Sequence, residues 1–258
     1  MLAALLPAEW PVALDANLLI FLALVAFGAT VQTITGFAMG LMIIAGVAAL
    51  NLTPISFAAA VISLISLLQT LIALRRARKH VNRQFLTWIS VGLAPMLILG
   101  VFLLDFLSDG FYGVLRTLLG VVIIAAGFML MVTPQPWEKV SSTWQSGAVG
   151  ALGGVIAGLY SAGGAPLAYF MYRQPLPLDV VRATLLAIFA ASTLWRTIVV
   201  GVTGHVTVPV LTTAALAIPV VVVTTLVVQR YLDRIPDRIV RRMVFVLLIG
   251  LGVFLIAT

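Results

Sequence analysis

Apolar residues along this chain come in long unbroken runs separated by short polar stretches, not in the alternation of a half-buried strand. The runs are about Leu14–Thr35, Gly36–Leu50, Pro54–Leu74, Phe85–Leu104, Phe111–Val132, Gly147–Ser161, Ala165–Tyr172, Leu178–Val200, Val208–Val228 and Ile239–Ala257. A helix needs about 20 residues to cross the hydrocarbon core of a bilayer. Six or seven runs meet or approach that length. Gly147–Ser161 and Ala165–Tyr172 are too short to cross alone, and Gly36–Leu50 is marginal. The uninterrupted run Val121–Val132 disfavours a transmembrane β-barrel, whose strands alternate. The pattern predicts an all-α polytopic membrane protein.

Composition agrees and removes the competing classes. The 258 residues are 62% hydrophobic and 9% charged, with a mean hydropathy of +1.20. A soluble domain is about 45–50% apolar and about 25% charged. A globule of this length has nowhere to hide so much apolar surface from water. A soluble enzyme, a secreted disulfide domain and a disordered chain are therefore excluded. The chain has no cysteine, so it has no disulfide, thiolate metal site or catalytic thiol. Met1–Trp10 lacks a basic segment and is interrupted at Pro7, so the first membrane helix, not a cleavable signal peptide, is expected to direct targeting.

The net charge of +7 would suggest nucleic acid as a partner of a soluble protein. Here the basic residues lie between apolar runs and no segment could build a basic groove, so no nucleic-acid partner is expected. The charges report topology instead. Arg75, Arg76, Arg78, Lys79, His80 and Arg83 form the densest positive cluster, and Arg230, Arg234, Arg238, Arg241 and Arg242 form a second. Both are expected in the cytoplasm. The linkers Asp105–Gly110 and Gly201–Thr207 carry no lysine or arginine and are expected outside.

The two parts of the chain resemble each other. Shifted by 125 residues and without a gap, His80–Leu130 aligns with His205–Leu255. His80 meets His205, Thr87 meets Thr212, Arg116 meets Arg241 and Gly127 meets Gly252. With a shift of 126, Thr35–Gly40 lands on Ser161–Pro166. Equivalent linkers carry opposite charge character: Arg75–Arg83 matches unbasic Gly201–Thr207, and acidic Asp105–Gly110 matches basic Arg230–Ile235. Equivalent linkers on opposite membrane faces are the signature of inverted topology. The expected organisation is residues 1–132 as one repeat, 133–146 as a cytoplasmic linker and 147–258 as the second repeat. Each repeat would be a glycine-hinged helical hairpin plus three transmembrane helices, an odd number of crossings.

The hinges are where chemistry is expected. Thr35, Gly36, Phe37 and Gly40 mark the first break; Ser161, Gly163, Gly164 and Pro166 mark the second. Glycine permits the turn, and Pro166 suits the first turn of the following helix because its absent N–H would be unpaired there. Each break exposes backbone N–H groups and the positive end of a helix dipole at membrane depth. Two such ends facing each other would hold an anion with no buried lysine. The alternative is that the glycines only permit close helix packing.

TGFAMG and YSAGGAPLAYFMYRQPLPLDVVRATLLAIF, with Val181–Thr184 after the second glycine motif, resemble the TauE/SafE sulfite exporter family over about Leu14–Ala257. The resemblance implies a polytopic carrier of sulfite, sulfonates or related organic acids. Ala165 stands where many members have a second proline.

Other polar residues inside the runs are weighed against that expectation. Arg196, near the outer end of its run, could meet an anion or snorkel as an anchor. Arg182 could meet the anion at the inner mouth or serve as a cytoplasmic anchor. Gln32 and Gln69 could donate to substrate oxygen or only link helices. No His, Asp or Glu cluster has metal-ligand spacing, and neither metal nor cofactor is expected. Ser161 with His205 as base would read as an intramembrane serine protease. The threonine at the equivalent hinge and the loop position of His205 argue against it, so the chain is expected not to be an enzyme. No carboxylate lies at membrane depth to relay protons or hold sodium. An inside-negative potential, worth about 2.3 kcal/mol per charge per 100 mV, pushes anions outward. The leading expectation is a secondary transporter in the cytoplasmic (inner) membrane that exports small sulfur-containing anions. A carrier of another organic anion and a passive anion channel are the alternatives. The expected partners are the small anion, the bilayer and, as a candidate, a second copy of the chain.

Overall fold

A computed structural model of the chain describes residues 16–35, 38–131, 135–231 and 237–257. They form ten α-helices, with no strand among the described residues: α1 (Ala16–Thr35), α2 (Met39–Leu50), α3 (Ile55–Ala77), α4 (Arg83–Gly110), α5 (Tyr112–Met131), α6 (Thr143–Tyr160), α7 (Gly164–Tyr172), α8 (Leu178–Val202), α9 (Val208–Tyr231) and α10 (Asp237–Ala257). Among them α1, α3, α4, α5, α8 and α9 are long and apolar enough to cross a membrane. The chain is an integral multi-pass membrane protein. Helices α2 and α7 have 12 and 9 residues, so neither crosses alone.

Local chemistry sets the boundaries. Asn82 caps α4 by accepting from the Phe85 N–H. Ser142 and Gln145 form a capping box that starts α6 against the polar linker. Asn51 ends α2 in the left-handed region, at φ 49°.

Helix boundaries recur at one interval. α2 and α7 begin 125 residues apart, as do α4 and α9, and α5 and α10; α3 and α8 end at the same spacing. The hinges therefore share the offset of the rest of the chain. The offset of 126 expected there is one residue too long, because the backbone break and not the threonine–serine match fixes the register. Packing recurs as well: α4 lies on α6 and α9 on α1, α4 on α8 and α9 on α3, while α3 packs on α8 and α5 on α10.

Loop contacts define two ends of the bundle. At one end the His80 ring lies 3.8 Å from Asp179, the Asn82 N–H donates to Thr184 Oγ1, and the Trp137 N–H donates to the Arg173 carbonyl. Arg173 also stacks its guanidinium over the Trp137 ring at 4.6 Å, tying the linker to the α7–α8 loop. At the other end Asp105 pairs with His205 at 3.0 Å. Helix α3 runs toward the first end, and α8 starts from it.

The closest packing in the bundle is between α6 and α4. A Cβ on Gly150, Gly154 or Gly158 would lie 2.2, 2.4 or 2.3 Å from the carbonyl oxygens of Ile89, Leu93 and Leu97 respectively. Glycine at every fourth position gives α6 a groove, and the carbonyls of one α4 face sit in it. In return, Gly92 and Gly100 of α4 admit the carbonyls of Gly147 and Val155.

Candidate functional site

Helix α6 ends where Ser161 adopts φ 55°, and α2 starts after Ala38 at φ 90°. Left-handed backbone is costly for any residue with a Cβ. Among the described residues three non-glycines adopt it, and two of them are these hinge positions. The hinges touch: a Cβ on Gly40 would lie 2.4 Å from the Ser161 carbonyl oxygen. A Cβ on Gly163 would lie 2.2 Å from the Gly153 carbonyl oxygen, so that glycine holds the second hinge against α6.

Between them lies a cavity of about 70 Å³. A water needs about 10–15 Å³ on the same measure, so the space holds a few non-hydrogen atoms. Gln32, Gly40, Ser161, Gly163, Gly164 and Arg196 line it, all expected from the sequence. Among the described residues, no backbone hydrogen bond uses the N–H groups of Ala162, Gly163, Gly164 or Ala165. The last three are donors of the N-cap and first turn of α7, Ala162 belongs to the hinge before it, and the N-terminus of α2 reaches the same space through Ala38, Gly40 and Leu41. Each N-terminus carries roughly half a positive charge.

A broken helix also presents its negative end. Arg196 answers that problem in the second hinge. Its Nε donates to the Ala157 carbonyl at 2.7 Å and its Nη2 to the Gly158 carbonyl at 2.9 Å, both in the last turn of α6. Nη1 donates to the Ala59 carbonyl at 2.7 Å and to Ser63 Oγ on α3. Four of five N–H groups are thus occupied, and one on Nη2 has no partner among the described residues. The side chain is 2% exposed. Arg196 therefore does not snorkel. It lies six residues inside the end of α8 with its donors turned inward, and it joins three helices while cancelling the α6 C-terminal pole.

Several cavity residues were not expected from the sequence: Ser66, Thr70, Ser192 and Thr193 line it, and Ser63 supports it. Ser63 Oγ is 3.3 Å from Ser161 Oγ, and Thr70 Oγ1 is 3.3 Å from Thr193 Oγ1. Thr70 and Thr193 otherwise donate to carbonyls four residues back. Each can turn its hydrogen to an anion while the carbonyl keeps its helical bond. The signal was present as hydroxyls at positions 63, 66 and 70, one face of an otherwise apolar helix.

Other expected residues lie elsewhere. Gln69 faces a neighbouring space, where its Oε1 accepts from Gln32 Nε2 at 2.9 Å and its Nε2 donates to Thr225 Oγ1 at 3.2 Å. Gln32 Oε1 accepts the Met39 N–H at 3.3 Å, so it closes one donor of α2. Pro166 is buried in the first turn of α7 but does not line the cavity. Arg182 is exposed on the first turns of α8 and is not at the cavity. Gly36, Phe37 and the Thr35 side chain lie outside the described residues. His205 bonds Asp105 and Thr203 at the bundle end, and Ser161 bonds Ser63. The serine and histidine of a protease are not brought together. Among the described residues there is no group of three or more potential metal ligands.

The profile of the sulfite exporter TauE/SafE family matches residues 20–255. The chain is 32% identical over 230 residues to the "Probable sulfite/organosulfonate exporter TauE" of Cupriavidus necator, covering 89% of this chain and 90% of that protein. No solved structure matches the chain.

Proposed function

The chain belongs to the TauE/SafE sulfite exporter family, and from that premise we propose that it is a secondary transporter exporting sulfite or an organosulfonate across the cytoplasmic membrane. The observation behind this reading is the convergence of two helix N-termini on one small cavity, with the opposing helix pole covered by Arg196. Preorganised N–H donors and hydroxyls suit an oxyanion, which accepts several hydrogen bonds and needs no metal or carboxylate partner.

The same proposal takes residues 1–132 and 147–258 as inverted repeats joined by a cytoplasmic linker at 133–146. The common interval of 125, the matched helix pairs and the opposite running directions of α3 and α8 support it. The bundle end containing Arg83 and Arg173 faces the cytoplasm, and the end with Asp105 and His205 faces outward. Access alternates around the hinges as the packing between the repeats changes.

In proteoliposomes the purified protein is expected to give saturable sulfite flux that unlabelled sulfite on the opposite side accelerates. Flux rising linearly with concentration, without such acceleration, would make it a channel. Cysteines introduced one at a time at 108 and 203 are expected to react with impermeant maleimide only from outside. Labelling of 203 alone from the cytoplasmic side would return the repeats to a parallel arrangement.

A further inference from the structure

A second space of about 340 Å³ adjoins the hinge cavity and shares Gln32 and Thr70 with it. It lies between α1, α3 and α9, where Gln69, Thr225 and Gln229 place it toward the end at which α3 and α9 finish. Arg230, in the last turn of α9, lies at that end. The walls are aliphatic, with Ile65, Leu186 and Val222 among them, and a line of neutral hydrogen-bonding groups runs through it. The Gln32–Gln69–Thr225 chain is part of that line. Among the described residues, no charged side chain lines this space.

The hinge cavity alone has room for little more than one oxyanion group. A sulfonate differs from sulfite by a carbon substituent on sulfur, and that substituent must leave the cavity on some side. We propose that the space between α1, α3 and α9 is the subsite for this substituent, and that it selects sulfonates with short uncharged tails carrying a hydroxyl or amide. The inference rests on the anion-site reading above and narrows its substrate class. An ammonium or carboxylate on the tail would lose water against aliphatic walls and meet no charged lining side chain among the described residues. A hydroxyl exchanges its water bonds for Gln69 or Thr225.

The test is thermal stabilisation of the purified protein by sulfite, methanesulfonate, 2-hydroxyethanesulfonate, 2-aminoethanesulfonate and sulfoacetate, since a ligand bound only to the folded state stabilises it by RT ln(1 + L/Kd), with L the free ligand concentration, so a concentration series of melting points gives each Kd. The expected result is at least tenfold tighter binding of 2-hydroxyethanesulfonate than of the amino or carboxylate analogue. Val222→Phe narrows the space, and Thr225→Val removes one hydroxyl at nearly constant volume. Both are expected to keep wild-type affinity for sulfite; Val222→Phe loses at least tenfold for 2-hydroxyethanesulfonate and Thr225→Val about threefold. Equal affinity for neutral and charged tails, or unchanged sulfonate affinity in a folded Val222→Phe protein, overturns the subsite. So does loss of sulfite together with the sulfonates in a folded Thr225→Val protein. Failure of sulfite and every sulfonate to stabilise the wild type overturns the anion-site reading itself.

Discussion

Arg196→Leu is expected to weaken sulfite binding about tenfold to hundredfold and to lower the melting temperature of the protein. The substitution removes a cation whose donors reach Ala157, Gly158, Ala59 and Ser63. The Ala157 carbonyl keeps the Ser161 N–H, the Ala59 carbonyl keeps the Ser63 hydroxyl, and Ser63 keeps its contact with Ser161, but the Gly158 carbonyl loses the one partner it has among the described residues; an unpaired buried polar group costs about 1–3 kcal/mol. Relief from burying the guanidinium offsets part of that cost. The larger functional effect is electrostatic. The α6 C-terminus regains its negative pole beside the anion, and a hydrogen bond to a charged group is worth about 1.5–3 kcal/mol. Arg196→Lys separates the two effects. An ammonium keeps the charge but has no planar fork to span two α6 carbonyls and α3 at once. It is expected to retain part of the affinity with most of the loss in stability. Ligand-dependent melting curves for both variants read the two quantities together. Native sulfite affinity in a stable Arg196→Leu protein would remove the arginine from the site.

The second large effect is expected at Gly40. A methyl group there would lie 2.4 Å from the Ser161 carbonyl oxygen and 3.2 Å from its carbon, both backbone atoms that cannot swing aside. Gly40→Ala must therefore push the two hinges apart. Overpacking of this kind costs about 1–3 kcal/mol in stability. Donors displaced by about 1 Å from a preorganised geometry can lose on the order of a hundredfold in function. Transport is expected to fall accordingly in a protein that still folds. Ser161→Ala, by contrast, removes one hydroxyl and leaves the approach of the hinges intact, so its loss should be smaller. Gly250→Ala is the matched control: nothing lies within 4 Å of the added Cβ, and the residue is inside α10. That variant is expected to transport normally and to gain up to about 1 kcal/mol from helix propensity. Equal uptake by Gly40→Ala and Gly250→Ala would sink the requirement for contact between hinges.

The second hinge was legible because glycine, glycine and proline within four residues leave few backbone choices. Membrane spans were legible from run length alone. The way Arg196 bridges α6 and α3 was not, because its acceptors are carbonyls 39 and 137 residues away, and sequence does not announce a backbone oxygen. The hydroxyls of α3 were visible but bland, since serine and threonine in membrane helices usually bond only their own backbone. Arg182 belongs to the recognisable motif, and the motif's helix starts at the bundle end, so the side chain lies at that end, where either an inner-mouth contact or a cytoplasmic anchor would stand, and not at the cavity.

The glycine groove of α6 also bears on how such a molecule can turn over. Helix α4 lies in the first part of the chain and α6 in the second, yet carbonyl oxygens of each sit on the glycines of the other. That seam acts as a weld, because sliding or tilting it would drive backbone into backbone. The pseudo-equivalent crossing of α1 on α9 has no such lock: α9 contains no glycine, and Gly28 of α1 meets α2 instead. A second glycine contact joins α5 to α10, where a Cβ on Gly120 would lie 2.8 Å from the Gly252 carbonyl oxygen. If the proposed repeats move against each other, the fold is a book with two glued edges, and the α1–α9 crossing is one that these glycines leave unglued.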